Sequence, residues 1–291
     1  MKPSIPSPIF IPKVLSIAGS DSGGGAGIQA DLKVITALGG FGMTAVTAIT
    51  AQNTMGVTRI QDIDLDVIEA QIDAVVTDIG VDVVKIGMLA SPAIVKTVAR
   101  CLKKYQIKRI VLDPVLRATS GASLGGDDTA LTMVAELFPM AELITPNLHE
   151  ASILLGRSIH ETSQFKEAAE ELLAMGPKAV LMKGGHLEGE PKELMDYLIW
   201  HDIKDDKPVV LQQAFVHPRI PTLNTHGTGC SLSSAIATYL ADRHDLKHSV
   251  AKAISFVSAA IEAGQRLDIG KGPGPLWHMH DFYPTKLPEA D

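Results

Sequence analysis

Residues 224–230, Asn-Thr-His-Gly-Thr-Gly-Cys, place two glycines and a cysteine directly before a stretch of helical periodicity. Glycine lets a backbone turn sharply and approach a ligand closely. The first N–H groups of a helix have no partner within the helix and carry the positive end of its dipole. Gly227, Thr228 and Gly229 therefore predict an anion-binding turn suited to phosphate oxygens, with Cys230 facing the reacting phosphate. A Gly-x-Gly pair alone is at least as often a helix entry without a ligand.

A second glycine-rich segment, residues 18–27, leads from the first predicted strand into the first predicted helix. It lacks the Gly-Lys-Ser/Thr ending of a P-loop and the Gly-x-Gly-x-x-Gly register of a dinucleotide site. Open α/β sheets bind ligands at the carboxyl ends of their strands. We interpret the segment as a loop that closes on a small substrate; from this segment alone, a flexible connection is an equal alternative.

Two carboxylates follow predicted strands. Asp113 comes directly after the apolar residues 109–112, and Glu150 lies three residues beyond Asn147, which ends another strand. Together Asp113 and Glu150 could hold a hydrated Mg²⁺, which takes one or two carboxylates plus phosphate oxygens. Each also has a simpler explanation, since Asp before Pro is a common turn residue and Glu stabilises a helix N-terminus.

Short apolar segments alternate with amphipathic ones, which indicates an α/β fold with a mostly parallel sheet covered by helices. Residues 194–212 predict an antiparallel hairpin at a sheet edge, around the polar turn 202–207, and two long helices follow. We expect a flexible, proline-rich arm over residues 1–12 and a single domain over residues 13–291. The predicted strands are residues 14–18, 45–50, 81–86, 109–112, 142–145 and 179–182.

Composition excludes several classes of function. The 291 residues carry 26 Lys and Arg against 33 Asp and Glu, a net charge of -7, so no positive field attracts nucleic acid or anionic lipid. Cys101 and Cys230 are the two cysteines and form no Cys-x-x-Cys pair, which disfavours a zinc site or a disulfide framework. No segment has the length and apolar character of a membrane helix. We expect a cytoplasmic protein, with Cys101 inert and with His226, His278 and His280 in supporting roles.

Taken together, the motifs resemble the ribokinase-like superfamily, specifically the hydroxymethylpyrimidine/phosphomethylpyrimidine kinases of thiamine biosynthesis. The resemblance covers residues 14–283 and implies a three-layer α/β/α sandwich with a mostly parallel central sheet and an antiparallel edge. The segments that carry it are Ala18-Gly19-Ser20-Asp21, residues 24–33, Ala51-Gln52-Asn53-Thr54, Lys85-Ile86-Gly87-Met88-Leu89, Leu112-Asp113-Pro114-Val115, Thr145-Pro146-Asn147, Lys183-Gly184-Gly185-His186, residues 227–230 and Gly270-Lys271-Gly272.

The resemblance implies a pyrimidine pocket near the first glycine-rich loop. Gln52 would hydrogen-bond the ring through its amide, which offers both a donor and an acceptor, while Met88 and Val115 pack on the ring faces. Asp31 matches a position near the same pocket, although a solvated helix-surface Asp is an equal alternative. The residues implied to bind the substrate are Gly19, Ala26, Asp31, Gln52, Met88 and Val115.

The resemblance also implies a site for ATP and Mg²⁺. Cys230 stands where most of the superfamily has an aspartate base, and we expect the helix N-terminus to lower the pKa of its thiol. Many relatives carry a Lys before Ser-Gly where this chain has Thr119-Ser120-Gly121, which leaves the role of that lysine open. The residues implied to bind the nucleotide are Asp113, Asn147, Glu150, Lys183 and Thr228. Of these, Asp113 and Glu150 would also hold the metal. The residues implied to act on the transferred phosphoryl group are Gly227, Gly229 and Cys230.

The expected reaction is ATP-dependent phosphorylation of 4-amino-5-hydroxymethyl-2-methylpyrimidine and of its monophosphate. A pyridoxal or pyridoxine kinase, or a kinase of dual specificity, is the nearest alternative, and a sensor that has lost turnover is a more distant one. A dinucleotide-dependent oxidoreductase is disfavoured because the fingerprint spacing is absent. We expect a small-molecule substrate and, if the chain self-associates, a homodimer.

Overall fold

The strands form one twisted sheet in the order β3-β2-β1-β4-β5-β6-β7-β8-β9. The computed structural model describes residues 9–116, 126–185, 192–204 and 206–283. Neighbours from β2 to β7 pair in parallel, whereas β3 at one edge and β8 and β9 at the other are antiparallel. The strands are β1 (Lys13–Asp21), β2 (Phe41–Asn53), β3 (Gly56–Asp62), β4 (Val83–Ile86), β5 (Ile110–Leu112), β6 (Leu143–Ile144), β7 (Ala179–Met182), β8 (Glu193–Lys204) and β9 (Lys207–Pro218).

Helices cover both faces of the sheet. Successive side chains of a strand point to opposite faces, so one strand can contribute to the core on each side. In β1, Leu15 and Ile17 join the core beneath α2 to α6, whereas Val14 joins the core beneath α1, α7 and α8. Each such fully buried aliphatic side chain stabilises the fold by about 1.5–3 kcal/mol. The helices are α1 (Gly27–Ala37), α2 (Leu65–Asp78), α3 (Pro92–Lys104), α4 (Asp127–Glu136), α5 (Leu148–Leu155), α6 (Phe165–Ala174), α7 (Thr228–Ala241) and α8 (Leu246–Gly264).

This architecture confirms the predicted three-layer α/β/α sandwich, the parallel centre and the antiparallel hairpin. The sequence did not predict β3, because its residues are mostly exposed and polar. With β3 included, the sheet has an antiparallel strand at both edges. In the part of the chain that the structure describes, no helix is both long enough and apolar enough to cross a bilayer.

Three sequence expectations fall largely outside the described ranges. Residues 1–8 of the expected arm are not described; residues 9–11 are exposed, and the carbonyl oxygen of Pro12 accepts a hydrogen bond from the N–H of Phe41 at 2.7 Å. Residues Thr119-Ser120-Gly121, where the chain differs from many relatives, and His186 also lie outside the described ranges.

A buried ion pair lies between the sheet and the helices α1 and α7. Lys85 on β4 and Asp31 on α1 are both fully buried, with Lys85 Nζ 2.8 and 2.9 Å from the two carboxylate oxygens. The hydroxyls of Ser16 on β1 and Ser234 on α7 also donate to Asp31, at 2.5 and 2.7 Å. Four elements therefore meet at one carboxylate.

Removing one partner of this pair should destabilise the protein more than removing both charges. Asp31→Asn should lower the free energy of unfolding by about 3–5 kcal/mol, because it leaves the Lys85 ammonium buried without its counter-charge. Asp31→Asn with Lys85→Met should recover most of that loss. Urea unfolding measures both values. Glu136→Gln removes one partner of the exposed Lys103 pair and is the control, expected to cost at most about 1 kcal/mol. An Asp31→Asn cost no larger than the control would contradict the prediction.

Candidate active site

A cavity of about 1200 Å³ opens at the carboxyl ends of the parallel strands. Each of β1, β4, β5 and β7 contributes side chains to it from its own end or from the loop that follows, as expected for an open α/β sheet. The cavity wall contains all but one of the site residues predicted from sequence: Gly19, Ala26, Gln52, Met88, Asp113, Val115, Asn147, Glu150, Lys183, Gly227, Thr228, Gly229 and Cys230.

Asp31 is the exception. Its side chain is fully buried and lies behind the cavity wall, where it pairs with Lys85. The structure therefore corrects its placement in the substrate pocket. Asp31 lies on the face of α1 that packs against the sheet and α7, rather than on the face towards the cavity.

The end of the cavity near β1 and β2 is apolar with one polar edge. Met88 and Ala48 form a small cluster with Val115, separate from both main cores. A Cβ at Gly19 would lie 2.5 Å from Cε of Met88, so only glycine leaves the methionine its position. The backbone of Gln52 is tied to the glycine-rich loop by Ser22, whose hydroxyl oxygen lies 2.8 Å from both its N and its O. A flat ring with polar edge atoms fits such a surface.

The middle of the cavity holds one lysine between two carboxylates. Lys183 Nζ lies 2.7 Å from Oδ1 of Asp113 and 3.8 Å from Oε2 of Glu150. Thr145 donates to the same Asp113 oxygen at 2.9 Å. Asn147 and Glu150 cap α5 reciprocally, each accepting the other's backbone N–H at 2.8 Å. The side chain of Asn147 is therefore engaged in starting the helix that carries Glu150.

Charge at this cluster is unevenly distributed. Burial alone would raise the pKa of Asp113, but the charges of Lys183 and Lys85 outweigh it and hold that pKa below its usual range. Burial raises the pKa of Glu150 to about 7; Lys183 opposes this rise and the charge of Asp113 adds to it. Glu150 is therefore about half protonated at neutral pH, and a cation bound beside it would replace that proton.

The donor set fits Mg²⁺ better than a softer metal. Among the described residues, no group of three or more His, Cys, Asp or Glu side chains could hold a metal ion by itself. Two carboxylates are the usual protein contribution to Mg²⁺, which completes its coordination with waters and phosphate oxygens. Asp113 and Glu150 are the pair that the sequence predicted for this role.

The glycine turn before α7 adjoins this cluster. Gly227 has φ +87°, the left-handed conformation, and its carbonyl oxygen accepts the N–H of Ser231 at 2.9 Å in the first turn of the helix. A Cβ at Gly229 would lie 3.3 Å from Nζ of Lys183 and 3.5 Å from Oδ2 of Asp113. The positive helix N-terminus, the lysine and the carboxylates therefore surround one space.

Cys230 is partly exposed at this space, but its protonation differs from the expectation. Burial raises the pKa of its thiol to about 11. Nearby Lys85 and a hydrogen bond from the N–H of Gly27, the first residue of α1, act in the opposite direction, while Asp31 and Asp113 raise the pKa further. The expectation of a lowered pKa is wrong, because burial and the charges of Asp31 and Asp113 outweigh the groups that favour the thiolate. Cys101 lies fully buried in the core.

Sequence reasoning missed Asp21, which organises the first glycine-rich loop. Its buried carboxylate accepts the backbone N–H groups of Gly23, Gly25 and Ala26 at 2.8, 3.1 and 2.8 Å. His226 Nε2 lies 2.9 Å from Oδ2 of the same carboxylate. Burial would raise the pKa of Asp21, but the hydrogen bonds from His226 and from the loop lower it below its usual value. An Asp followed by glycines is a turn signal that could have been used.

The far end of the cavity was also missed. An apolar wall is formed by side chains of α7 and α8, and residues 218–225 lie along it. Asn224 fixes the end of that segment: its amide nitrogen donates to Gly264 O and Leu267 O at 2.8 and 2.9 Å. The wall residues lie on the two helices predicted after the hairpin, and they are Leu232, Ile254, Val257 and Ile261.

Gly227→Ala should abolish the turn. A Cβ at this position would lie 1.9 Å from the carbonyl oxygen of Gly25, in addition to the strain of a positive φ. We expect nucleotide binding to fall below detection and the melting temperature to drop. Gly156→Ala is the matched control, because φ is +66° there and no atom lies within 4 Å of the added Cβ. It should cost about 1 kcal/mol and leave binding intact. Equal effects of the two substitutions would show that backbone strain alone is responsible.

Comparison with known proteins agrees with this geometry. Residues 21–277 match the model of the family described as phosphomethylpyrimidine kinase. The hydroxymethylpyrimidine/phosphomethylpyrimidine kinase of Rhizobium meliloti is 45% identical over 92% of this chain and 97% of its own length. The crystal structure of phosphomethylpyrimidine kinase from Clostridium difficile superimposes with a TM-score of 0.74 at 42% identity, covering 87% of this chain and all of the other.

A further solved structure has a different named substrate. An ADP complex of Bacillus subtilis pyridoxal kinase has a TM-score of 0.81 at 34% identity, with 92% of this chain and 98% of the other covered. Both structures share the mixed α/β fold. Since the family match spans most of the chain and the relative from Rhizobium meliloti is aligned over nearly its full length, this chain belongs to the phosphomethylpyrimidine kinase family.

Proposed function

We propose that the protein phosphorylates 4-amino-5-hydroxymethyl-2-methylpyrimidine, and then its monophosphate, with ATP as the donor. The observation that carries this proposal is one cavity that is lined by Gln52 and Met88 at one end and by Lys183 and Gly229 in its middle. Relatives with this family's name span nearly the full length of the chain. A cavity of about 1200 Å³ has room for both reactants of a kinase.

At the ring end, packing and one amide would select the substrate. Met88 and Val115 supply apolar surface for a flat ring. The side-chain amide of Gln52 offers both hydrogen-bond types to an aminopyrimidine edge. The hydroxymethyl group of a ring bound there would be directed at Cys230 and the glycine turn.

At the phosphate end, the chain's own groups would stabilise the migrating phosphoryl group. The N–H groups at the start of α7 and the Lys183 ammonium are fixed before reaction, so little reorganisation is needed as charge develops. Phosphoryl transfer depends mainly on such positioning and electrostatics. The apolar wall of α7 and α8 would take the adenine base, while Asn224 holds the adjoining segment in place.

Asp113 and Glu150 would hold the magnesium ion. When bound, Mg²⁺ neutralises negative charge on the nucleotide phosphates. The excess negative charge at the two carboxylates, which Lys183 compensates only in part, supports this assignment.

Cys230 would accept the proton of the attacking hydroxyl. With a pKa near 11, only a small fraction of the thiol is ionised at neutral pH. Such a base contributes roughly 10²–10⁴-fold to the rate, less than the electrostatic groups around it. Turnover should therefore be slowed, and not eliminated, when the sulfur is lost.

The substrate is tested by offering the hydroxymethylpyrimidine and pyridoxal separately and measuring ATP consumption. We expect the pyrimidine to give the larger kcat/KM. Gln52→Leu should raise KM for the pyrimidine by about 10-fold or more, since a buried ring edge loses its hydrogen bonds. Turnover of pyridoxal alone would favour the activity named for the Bacillus subtilis structure.

The base is tested by the pH dependence of kcat. The thiolate fraction rises tenfold per pH unit below a pKa of about 11, so wild-type kcat should rise between pH 7 and 9. Cys230→Ala should lower kcat by roughly 10²-fold or more with little change in KM, and should lose the slope. Cys230→Asp, a carboxylate already ionised in this range, should keep turnover without the slope. Wild-type kcat and slope in Cys230→Ala would remove the thiol from the mechanism.

A further inference from the structure

We propose that His226 is a positioning residue that couples occupancy of the ring end of the cavity to the shape of the phosphate-binding turn. The inference rests on the proposed function and deepens it, because it predicts that the pyrimidine and the nucleotide strengthen each other's binding. His226 does not need to touch the transferred group. It acts through Gln52 on one side and Gly227 on the other.

His226 contacts both halves of the site. Its Nε2 lies 2.9 Å from Oδ2 of Asp21 and 3.4 Å from Nε2 of Gln52. The imidazole also packs on the glycine-rich loop, since a Cβ at Gly25 would lie 2.4 Å from its Cδ2. The ring is nearly fully buried, so it cannot move without disturbing these neighbours.

The contact with Asp21 ties the imidazole to the whole first loop. The carboxylate that faces His226 Nε2 also holds the N–H groups of Gly23, Gly25 and Ala26. Ser22, in the same loop, hydrogen-bonds the backbone of Gln52 on both sides. A ligand that moves Gln52 therefore acts on one connected network rather than on a single side chain.

The connection to the phosphate end is covalent and tightly packed. His226 directly precedes Gly227, whose Cα lies so close to Gly25 that an added Cβ would meet its carbonyl oxygen. The backbone N–H of His226 is itself held by Gly274 O at 3.0 Å. A shift of the imidazole must therefore change the loop or rotate the turn, and close-packed interiors transmit such shifts.

A second aspartate–histidine pair in the protein lacks this link to the ring end of the cavity. His217 Nε2 lies 3.2 Å from Oδ2 of Asp196, and Oδ1 of Asp196 accepts the N–H of Gly184. That pair joins the hairpin of β8 and β9 to the loop after β7. Only the Asp21–His226 pair, of these two, touches a proposed ring-binding residue.

The experiment measures the affinity of a non-hydrolysable ATP analogue by calorimetry, with and without saturating hydroxymethylpyrimidine. We expect the pyrimidine to tighten nucleotide binding in the wild type by roughly 5–50-fold, and the nucleotide to tighten pyrimidine binding by the same factor. His226→Leu, which removes the N–H donor, should bring the factor close to one. His226→Gln, which keeps a donor, should retain part of it.

The control is His248→Gln, in an exposed pair with Asp245 at the start of α8, where the factor should equal that of the wild type. Should His226→Leu not fold, as judged by its melting curve, His226→Gln and Asp21→Asn must each lower the factor. The inference is overturned if saturating pyrimidine leaves the nucleotide affinity of the wild type unchanged. It is also overturned if the folded His226 variants show the same gain in affinity as the wild type. Normal turnover with a factor of one overturns only this inference, whereas a protein that binds no pyrimidine overturns the proposed function as well.

Discussion

The site depends on one lysine that lies between two buried carboxylates. Lys183 compensates Asp113 closely, at 2.7 Å, and Glu150 only partly, at 3.8 Å. If the lysine were absent, two like charges would have to share a poorly hydrated space, which is strongly unfavourable. Glu150, whose pKa is raised to about 7, keeps part of its negative charge at neutral pH. This remaining charge fits the proposal that the cluster binds a metal ion together with an anionic nucleotide.

The fold supplies this cluster through topology rather than through sequence proximity. Asp113 follows β5, Glu150 is held by the capping box after β6, and Lys183 follows β7, so three adjacent parallel strands present the three groups at one edge. Behind them, the Asp31–Lys85 pair fixes α1 and α7 to the sheet. The two helices whose first turns border Cys230 are thereby held at a set separation. The buried pair thus shapes the site without lining it.

The sequence predicted those features that follow from local pattern. Asp113, Lys183 and Gly227 each adjoin a predicted strand end or helix start, and the structure brings them to one cavity. Asp31 was expected near the ring pocket from the family resemblance, but its side chain is buried against Lys85 behind the cavity wall. The edge strand β3 was missed because exposed polar residues give little strand signal. The Asp21–His226 contact joins residues 205 positions apart, and no spacing rule reveals such a pair.

The thiol of Cys230 shows how local and global effects compete. Two helices begin beside it, and both favour a thiolate. Burial, together with the charges of Asp31 and Asp113, nevertheless raises its pKa to about 11. A base that is ionised in only a small fraction of molecules is sufficient for phosphoryl transfer through a loose transition state, in which the attacking oxygen develops little bonding before the phosphoryl group has largely left. The proposed mechanism consequently assigns most of the catalytic effect to groups that hold charge in place, and in it the sulfur needs only to receive a proton late in the reaction.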